Sequence, residues 1–415
     1  MLKSARLGLI VLTAINLLNY VDRYVVAALV NALTQPAPDG LGLSAAQSGW
    51  LASGFIIVYL LTAPLFGSLA DRRNRPRLIA VGVAIWALTT AAGAFAGGFA
   101  SLLAARSLVG VGEAAYGTAA PAMLADLYPR ARRGRIFAIF YAAIPLGAAI
   151  GFALGGIVEQ NFGWRAAFLF AAAPGVGLAA LAWLLADPPR GAGDAQDEVG
   201  NDAPASRGIG ALLDYARLFT HRPYTLAVLG YAAYTFALGA LAFWTPDFLQ
   251  RVHHLSQTDS TVTFGATLAA TGLFGTLAGG WLADRLRSHT PQADMWVCAV
   301  SMLLAAPLTL LVVCAEREAI YLPALIGAQI LLFVSTGPVN TAIINGVAPH
   351  QRAKAMAASI VAIHLFGDVP SPPLVGWIAD RSSLREGMLL IAAAVLVSGI
   401  LWLVAALQRH SEPSG

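Results

Sequence analysis

Charged side chains are scarce in this sequence: they make up 12% of 415 residues, while hydrophobic residues make up 58%. Soluble domains carry about 25% charged residues, so this composition argues against a soluble protein. Apolar runs of about 20 residues recur along the chain, and each is long enough to cross about 30 Å of hydrocarbon as a helix. We therefore predict an all-α integral membrane protein.

Motifs for enzymatic chemistry are also missing. The sequence has no phosphate-binding Gly-rich loop with Lys, no His-Glu-x-x-His motif and no Cys-x-x-Cys pair. Its two cysteines, Cys298 and Cys314, lie on one predicted helix and are too far apart for a disulfide. We expect no enzyme, no cofactor, no bound metal and no ATP-driven cycle. The net charge of +4 does not indicate nucleic acid, because the basic residues are spread among short loops.

Breaks between the apolar runs predict twelve transmembrane helices. They lie near 7–33, 44–70, 77–98, 101–127, 136–159, 165–186, 223–250, 258–283, 293–315, 319–347, 353–379 and 385–407. Alternate loops carry most of the Lys and Arg, which by the positive-inside rule places both termini in the cytoplasm. We expect the protein to lie in the plasma (inner) membrane.

An internal repeat divides the chain into two halves. Gly67-Ser-Leu-Ala-Asp71-Arg72 after helix 2 returns as Gly280-Trp-Leu-Ala-Asp284-Arg285 after helix 8. We predict two pseudo-symmetric six-helix bundles, at 1–186 and 222–415. Residues 187–221 are expected to form a cytoplasmic linker, in which 209–219 fit an interfacial helix and a plain loop equally well. Such parallel repeats place the substrate near the bilayer midplane between the halves.

Ionisable side chains inside the spans are functional candidates, because inserting each into the bilayer costs about 3 kcal/mol or more. Helix 1 carries Asp22 and a polar stripe with helical spacing: Asn16, Asn19, Tyr20 and Arg23. Helix 4 carries Arg106 and Glu113, two turns apart on nearly one face. Gly110 lies between them, and we expect that face to approach helix 1 closely.

The two carboxylates and two guanidiniums of helices 1 and 4 would pair, which would let them stay ionised inside the protein. Protonation of Asp22 or Glu113 would then release an arginine to bind an anionic headgroup. The alternative interpretation is a static network that only fixes the two helices together.

Helix 11 brings His364 and Asp368 to one face, one turn apart, before a proline-rich stretch around Ser371. These residues fit a proton relay, a flexible gate or a packing kink. The C-terminal half offers few charges within its spans beyond Asp368, and its aromatic side chains suit the tail of an amphiphile. In helix 5, the small residues Gly147, Gly151 and Gly155 predict tight helix packing.

Several motifs resemble known transporter families. The stretch from Gly67 to Arg75 resembles the signature loop of the major facilitator superfamily, and Arg106-Ser-Leu-Val-Gly110-Val-Gly112 resembles its helix 4 motif. More narrowly, residues 19–23, 106–116 and 364–372 are similar to the spinster family of lipid transporters. Asn74 departs from the superfamily loop, which usually has Gly at that position.

The resemblance implies a major facilitator fold and proton-linked transport of lysophospholipids or sphingoid phosphates by a monomer in contact with membrane lipids. We assign proton coupling to Asp22 and Glu113. Substrate binding is assigned to Asn19, Tyr20, Arg23, Arg106, Tyr116, His364 and Asp368. A conformational gate is assigned to Gly67, Asp71, Arg72, Arg75, Asp126 and Asp284. Transport of drugs or organic anions with protons, and proton-independent lipid scrambling, are the alternative functions.

Overall fold

The computed structural model of the chain describes residues 4–192, 217–347 and 351–408. Long helices account for most of these residues, which confirms the predicted all-α class. The segment 209–219, for which an interfacial helix and a loop are both expected, falls mainly on residues 193–216, which lie outside the described ranges.

The first six helices follow the predicted order. They are α1 (Ala5–Ala28, continued by Val30–Thr34), α2 (Ala45–Arg72), α3 (Arg75–Gly93), α4 (Phe99–Leu127), α5 (Arg130–Tyr141 and Ala143–Phe162) and α6 (Trp164–Leu184). Local sequence explains two of their starts. Ser44 begins α2 with a capping box in which its hydroxyl accepts from the Gln47 amide, and the Asn74 side chain caps α3.

Six further helices make up the rest of the described chain. They are α7 (Arg222–Arg251), α8 (Gln257–Leu286), α9 (Ala293–Cys314), α10 (Glu318–Val334 and Thr336–Asn345), α11 (Arg352–Ile363, His364–Asp368 and Ser371–Arg381) and α12 (Leu384–Leu407). All twelve predicted helices are therefore present, with ends within six residues of those predicted.

Eleven helices in the described residues are long and apolar enough to cross a membrane. The helix that falls short of this measure is α4, which has 29 residues. Arg106, Glu113 and several glycines lower its mean hydropathy. The shortfall of α4 thus comes from its polar residues and glycines and not from insufficient length.

The described chain forms two compact units. The first comprises residues 1–201 and 243–269, and the second comprises 202–242 and 270–415. The end of α7 and the start of α8 thus group with the first six helices. The bundle limits at 186 and 222 remain a prediction. The two compact units are defined by which residues lie close together in space, and not by which segments of the chain fold independently.

Tight packing of α5 on α1 follows from the glycines of α5. A Cβ atom on Gly147 or Gly151 would lie 2.6 Å from the carbonyl oxygen of Leu17 or Val21, closer than any real Cβ contact. A Cβ atom on Gly155 would lie 2.6 Å from the Cβ atom of Ala28. The small-residue strip is therefore a packing surface, as predicted.

The glycines of α4 behave differently from the prediction. A Cβ atom on Gly110 would lie 2.6 Å from the carbonyl oxygen of Phe55 on α2, and one on Gly112 would collide with Trp86 on α3. The expected approach of Gly110 to α1 is therefore wrong. The side chains of Arg106 and Glu113 are long enough to reach α1 without it.

Candidate functional site

Arg23 of α1 and Glu113 of α4 form an ion pair inside the first unit. Two guanidinium nitrogens, Nε and Nη2, each lie 2.8 Å from the same carboxylate oxygen, Oε2 of Glu113. The Glu113 side chain is fully buried, whereas that of Arg23 is 31% exposed. The pair therefore joins a buried acid to a cation that a ligand can reach.

Aromatic rings surround the Arg23 guanidinium. Its central carbon lies 4.9 Å from the ring centroid of Phe55, 5.2 Å from that of Tyr20 and 5.7 Å from that of Tyr59. Aromatic rings within about 6 Å of a cation attract it. Sequence reasoning found Tyr20 but missed Phe55 and Tyr59, whose only signal was their spacing of one turn on α2.

Asp22 and Arg106 form a second, more deeply buried pair. Arg106 Nη1 donates to Asp22 Oδ2 at 2.9 Å, and Thr90 of α3 donates to Asp22 Oδ1 at 2.8 Å. All three residues are buried. Thr90, missed in the sequence, gives the carboxylate a neutral donor in addition to the guanidinium.

The two ion pairs meet at Phe55. Its ring centroid lies 5.8 Å from the Arg106 guanidinium, in addition to its contact with Arg23. Asn19 lies beside the Glu113 carboxylate. The arginines of both ion pairs thus contact one aromatic ring of α2.

Two polar atoms of this cluster are buried without a hydrogen-bond partner in the described part of the chain: Oε1 of Glu113 and Nε of Arg106. Leaving such atoms unpaired costs about 1–3 kcal/mol each. One oxygen of Glu113 is therefore available to carry a proton or to accept a hydrogen bond from a ligand.

Tyr116 of the predicted site and Asn16 of the polar stripe make contacts that serve helix packing. The Tyr116 hydroxyl donates to the carbonyl oxygen of Leu12 at 2.7 Å, and its ring lies in the apolar core. Asn16 donates to the carbonyl oxygen of Phe140 at 2.9 Å. These contacts tie α1 to α4 and α5, so neither polar group is free for a ligand in this structure.

The predicted gate is centred on Arg75, at the start of α3. Its side chain is buried and lies 2.5 Å from Asp126 and 2.9 Å from Asp187. A further guanidinium nitrogen donates to the carbonyl oxygen of Pro188 at 2.6 Å. Asp187, assigned by sequence to the linker, is thus part of an ion cluster at the end of the first bundle.

The remaining gate residues lie outside that cluster. Gly67, Asp71 and Arg72 are not among the hydrogen-bond or ion-pair partners described for Arg75, and Asp71 and Arg72 are exposed. In the second unit Asp284 pairs with Arg287, which also binds Asp294 at 2.7 Å. The hydrogen bond to Asp294 is the main reason that the pKa of Arg287 is raised above its ordinary value.

The α11 segment from His364 to Asp368 is a π-helix. The Val369 amide donates to the carbonyl oxygen of His364, five residues earlier, at 3.1 Å. His364 Nδ1 lies 2.9 Å from Asp368 Oδ2, so the two predicted residues are in contact. Pro370 cannot donate a backbone hydrogen bond, and π-turns of this kind are frequent at functional sites.

A cluster missed by sequence reasoning lies at the end of α7. Asp247 is buried and accepts from Arg251 at 2.7 Å and from Asn31 of α1 at 3.2 Å. Arg251 also binds Thr34 at 2.5 Å. Asp247 falls within the predicted span 223–250, so its charge at membrane depth was a signal that could have revealed it.

No group of three or more His, Cys, Asp or Glu residues is placed to hold a metal ion in the described ranges. Cys298 and Cys314 are both free.

Comparison with known proteins gives consistent similarities. The family model described as Major Facilitator Superfamily matches residues 12–367. Protein spinster homolog 1 of Homo sapiens is 36% identical over 393 residues, which cover 89% of this chain and 72% of the human protein. The probable sphingolipid transporter spinster homolog 2 of Arabidopsis thaliana is 32% identical over 432 residues. The alignment covers 98% of this chain and 88% of the Arabidopsis protein.

Solved structures show the same fold. A bacterial homolog of the human lysosomal transporter Spinster, crystallised in an inward-facing and unoccupied conformation, superposes with a TM-score of 0.83 at 23% identity. The alignment covers 97% of each chain. A peptide transporter crystallised with sulfate gives a TM-score of 0.77 at 15% identity, and covers 96% of this chain and 94% of its own.

Proposed function

Because the chain belongs to the spinster family of major facilitator transporters, we propose that it moves amphipathic lipids by proton-coupled alternating access. The proposed substrates are lysophospholipids or sphingoid phosphates. The name of the Arabidopsis relative, a probable sphingolipid transporter, supports this substrate class. A location in the plasma (inner) membrane with cytoplasmic termini remains part of the proposal.

The observation that carries the proposal is the Arg23–Glu113 pair. Arg23 is the partly exposed cation of the cluster, and it is held by a buried carboxylate with an unpaired oxygen. An anionic headgroup and Glu113 would compete for the same guanidinium. Protonation of Glu113 would weaken its hold on Arg23, so binding of the headgroup and of the proton would favour each other.

The Asp22–Arg106 pair lies in the same unit as the Arg23–Glu113 pair, and both of its side chains are buried. Thr90 and Arg106 together satisfy Asp22 in a buried setting. Asp22 remains a proposed proton carrier, but its extra donor Thr90 and the burial of its partner Arg106 favour Glu113 as the group that exchanges first. His364 and Asp368 are proposed as polar contacts for the substrate from α11.

Proton movement by purified protein in proteoliposomes tests the proposal. Adding lysophospholipid to wild-type protein should produce a proton signal, and Glu113→Gln should abolish it. Glu386→Gln is the matched control, because Glu386 is an exposed acid at the start of α12. A signal that persists in Glu113→Gln would contradict the coupling assignment.

The same assay separates the alternative functions. A drug or organic-anion transporter would give a proton signal with those compounds and none with lysophospholipid. A scramblase would move lipid between leaflets without a proton gradient and without a proton signal. Either result would contradict the proposed function and leave the fold and family unchanged.

A further inference from the structure

A cavity of about 490 Å³ lies in the second unit between α8, α9 and α10. Its volume is in the range of roughly 300–1000 Å³ that holds small ligands. It is lined almost entirely by apolar atoms of these residues: Leu282, Leu286, Thr290, Trp296, Val297, Val300, Ser301, Leu304, Leu331 and Val334. None of them belongs to the site described above.

The outer rim of the cavity faces away from the protein core. Val300 is 47% exposed and Leu304 is 54% exposed, whereas Val297 and Val334 at the floor are buried. Ser301, the polar residue of the floor, is already bonded to Ser335 at 2.8 Å between hydroxyl oxygens. In a membrane-spanning unit such an exposed apolar surface is covered by hydrocarbon, and this cavity has no free polar group on its floor to hold water.

Basic side chains lie at the end of α8 that borders the cavity. Arg287 is engaged by Asp284 and Asp294, so its charge is largely neutralised. Arg285 is exposed and its described contact is the Trp281 ring, 5.9 Å from the guanidinium carbon. Arg285 lies in the last turn of α8 between Leu282 and Leu286, which both line the cavity, so a long cationic side chain flanks the end of the helix at which the cavity opens.

We infer that this cavity binds an anionic glycerophospholipid of the leaflet in which α8 ends. One acyl chain occupies the space between α8, α9 and α10, and the phosphate lies at Arg285. Basic pockets between transmembrane helices bind anionic headgroups in this way. The bound lipid is a resident ligand on the outer face of the second unit, so the inference is independent of the transported substrate.

Native mass spectrometry of the detergent-purified chain tests the inference with dioleoylphosphatidylglycerol and dioleoylphosphatidylcholine. Wild-type protein should retain the anionic lipid in preference to the zwitterionic one. Val300→Trp fills the cavity and should reduce retention of both lipids. Leu310→Trp is the matched control, because Leu310 is also exposed on α9 and does not line the cavity.

The headgroup assignment has its own pair of variants. Arg285→Gln should remove a preference of about fivefold for the anionic lipid, as expected for one basic residue near the surface. Arg381→Gln is the control, because Arg381 also stacks on a tryptophan, Trp377, at 3.9 Å, and neither residue lines the cavity. Equal retention by wild type and Val300→Trp would overturn the cavity as the site. An unchanged lipid preference in Arg285→Gln would overturn the role of the cation.

Discussion

Arg106 donates to Asp22 at 2.9 Å where both side chains are at most 3% exposed. Removing one partner would leave the other as an uncompensated buried charge. Asp22→Ala should therefore destabilise the first unit by about 3–5 kcal/mol. A thermal unfolding scan in detergent would measure this loss.

The control for that variant is Asp284→Ala. The Asp284 side chain is 72% exposed, and its partner Arg287 keeps its bond to Asp294; solvent-exposed ion pairs contribute about 1 kcal/mol or less. Similar unfolding temperatures for Asp22→Ala and Asp284→Ala would show that the buried pair does not hold α1 to α4.

Phe55 contacts both arginines, which makes it a test of how the site holds its cations. Phe55→Leu keeps apolar volume but removes the ring that faces Arg23 and Arg106. A cation–π contact contributes about 1 kcal/mol, so headgroup affinity should fall by about fivefold. Isothermal titration with lysophospholipid would measure the change. Phe95→Leu, at a ring that is 79% exposed, should leave affinity unaltered.

The Arg75 cluster predicts a specific change in protease sensitivity. Asp187→Ala removes one acceptor from Arg75 and should loosen the backbone at Pro188, so limited proteolysis near that position should become faster. Asp71→Ala should have no such effect, because Asp71 is exposed and is not among the hydrogen-bond partners described for Arg75. Equal cleavage rates in the two variants would contradict the anchoring role of Asp187.

Helix packing gives a prediction about stability. Gly151→Leu forces a side chain against the backbone of α1 at Val21, and overpacking of this kind costs about 1–3 kcal/mol. The variant should lower the unfolding temperature and the yield of monodisperse protein. Gly177→Leu introduces the same side chain where no heavy atom lies within 4 Å, and should be tolerated.

Much of the fold followed from the sequence because the bilayer imposes a simple rule on helix length. The charges on α1 and α4 were also identifiable, since Asp22, Arg23, Arg106 and Glu113 interrupt apolar runs. Which acid pairs with which arginine could not be deduced, because that choice depends on the rotation of each helix about its axis.

The uncharged residues that contact these charged side chains were harder to identify from the sequence. Thr90 and Phe55 are ordinary residues of apolar helices, and only the packing of α2 and α3 on α4 gives them their contacts. Asp187 follows the end of a span and resembles a linker residue in composition. Its role depends on a guanidinium that is remote in sequence.

The close packing of α4 against α2 at Gly110 and against α3 at Gly112 has a mechanical consequence. At these two points the helices meet through backbone and Cβ atoms, so no flexible side chain lies there to absorb a displacement. We expect a movement of α4 at Glu113 to pass to α2 and α3 through these contacts. We expect the charge state of a single carboxylate to tilt this group of helices as a stiff block, with little local deformation around the acid.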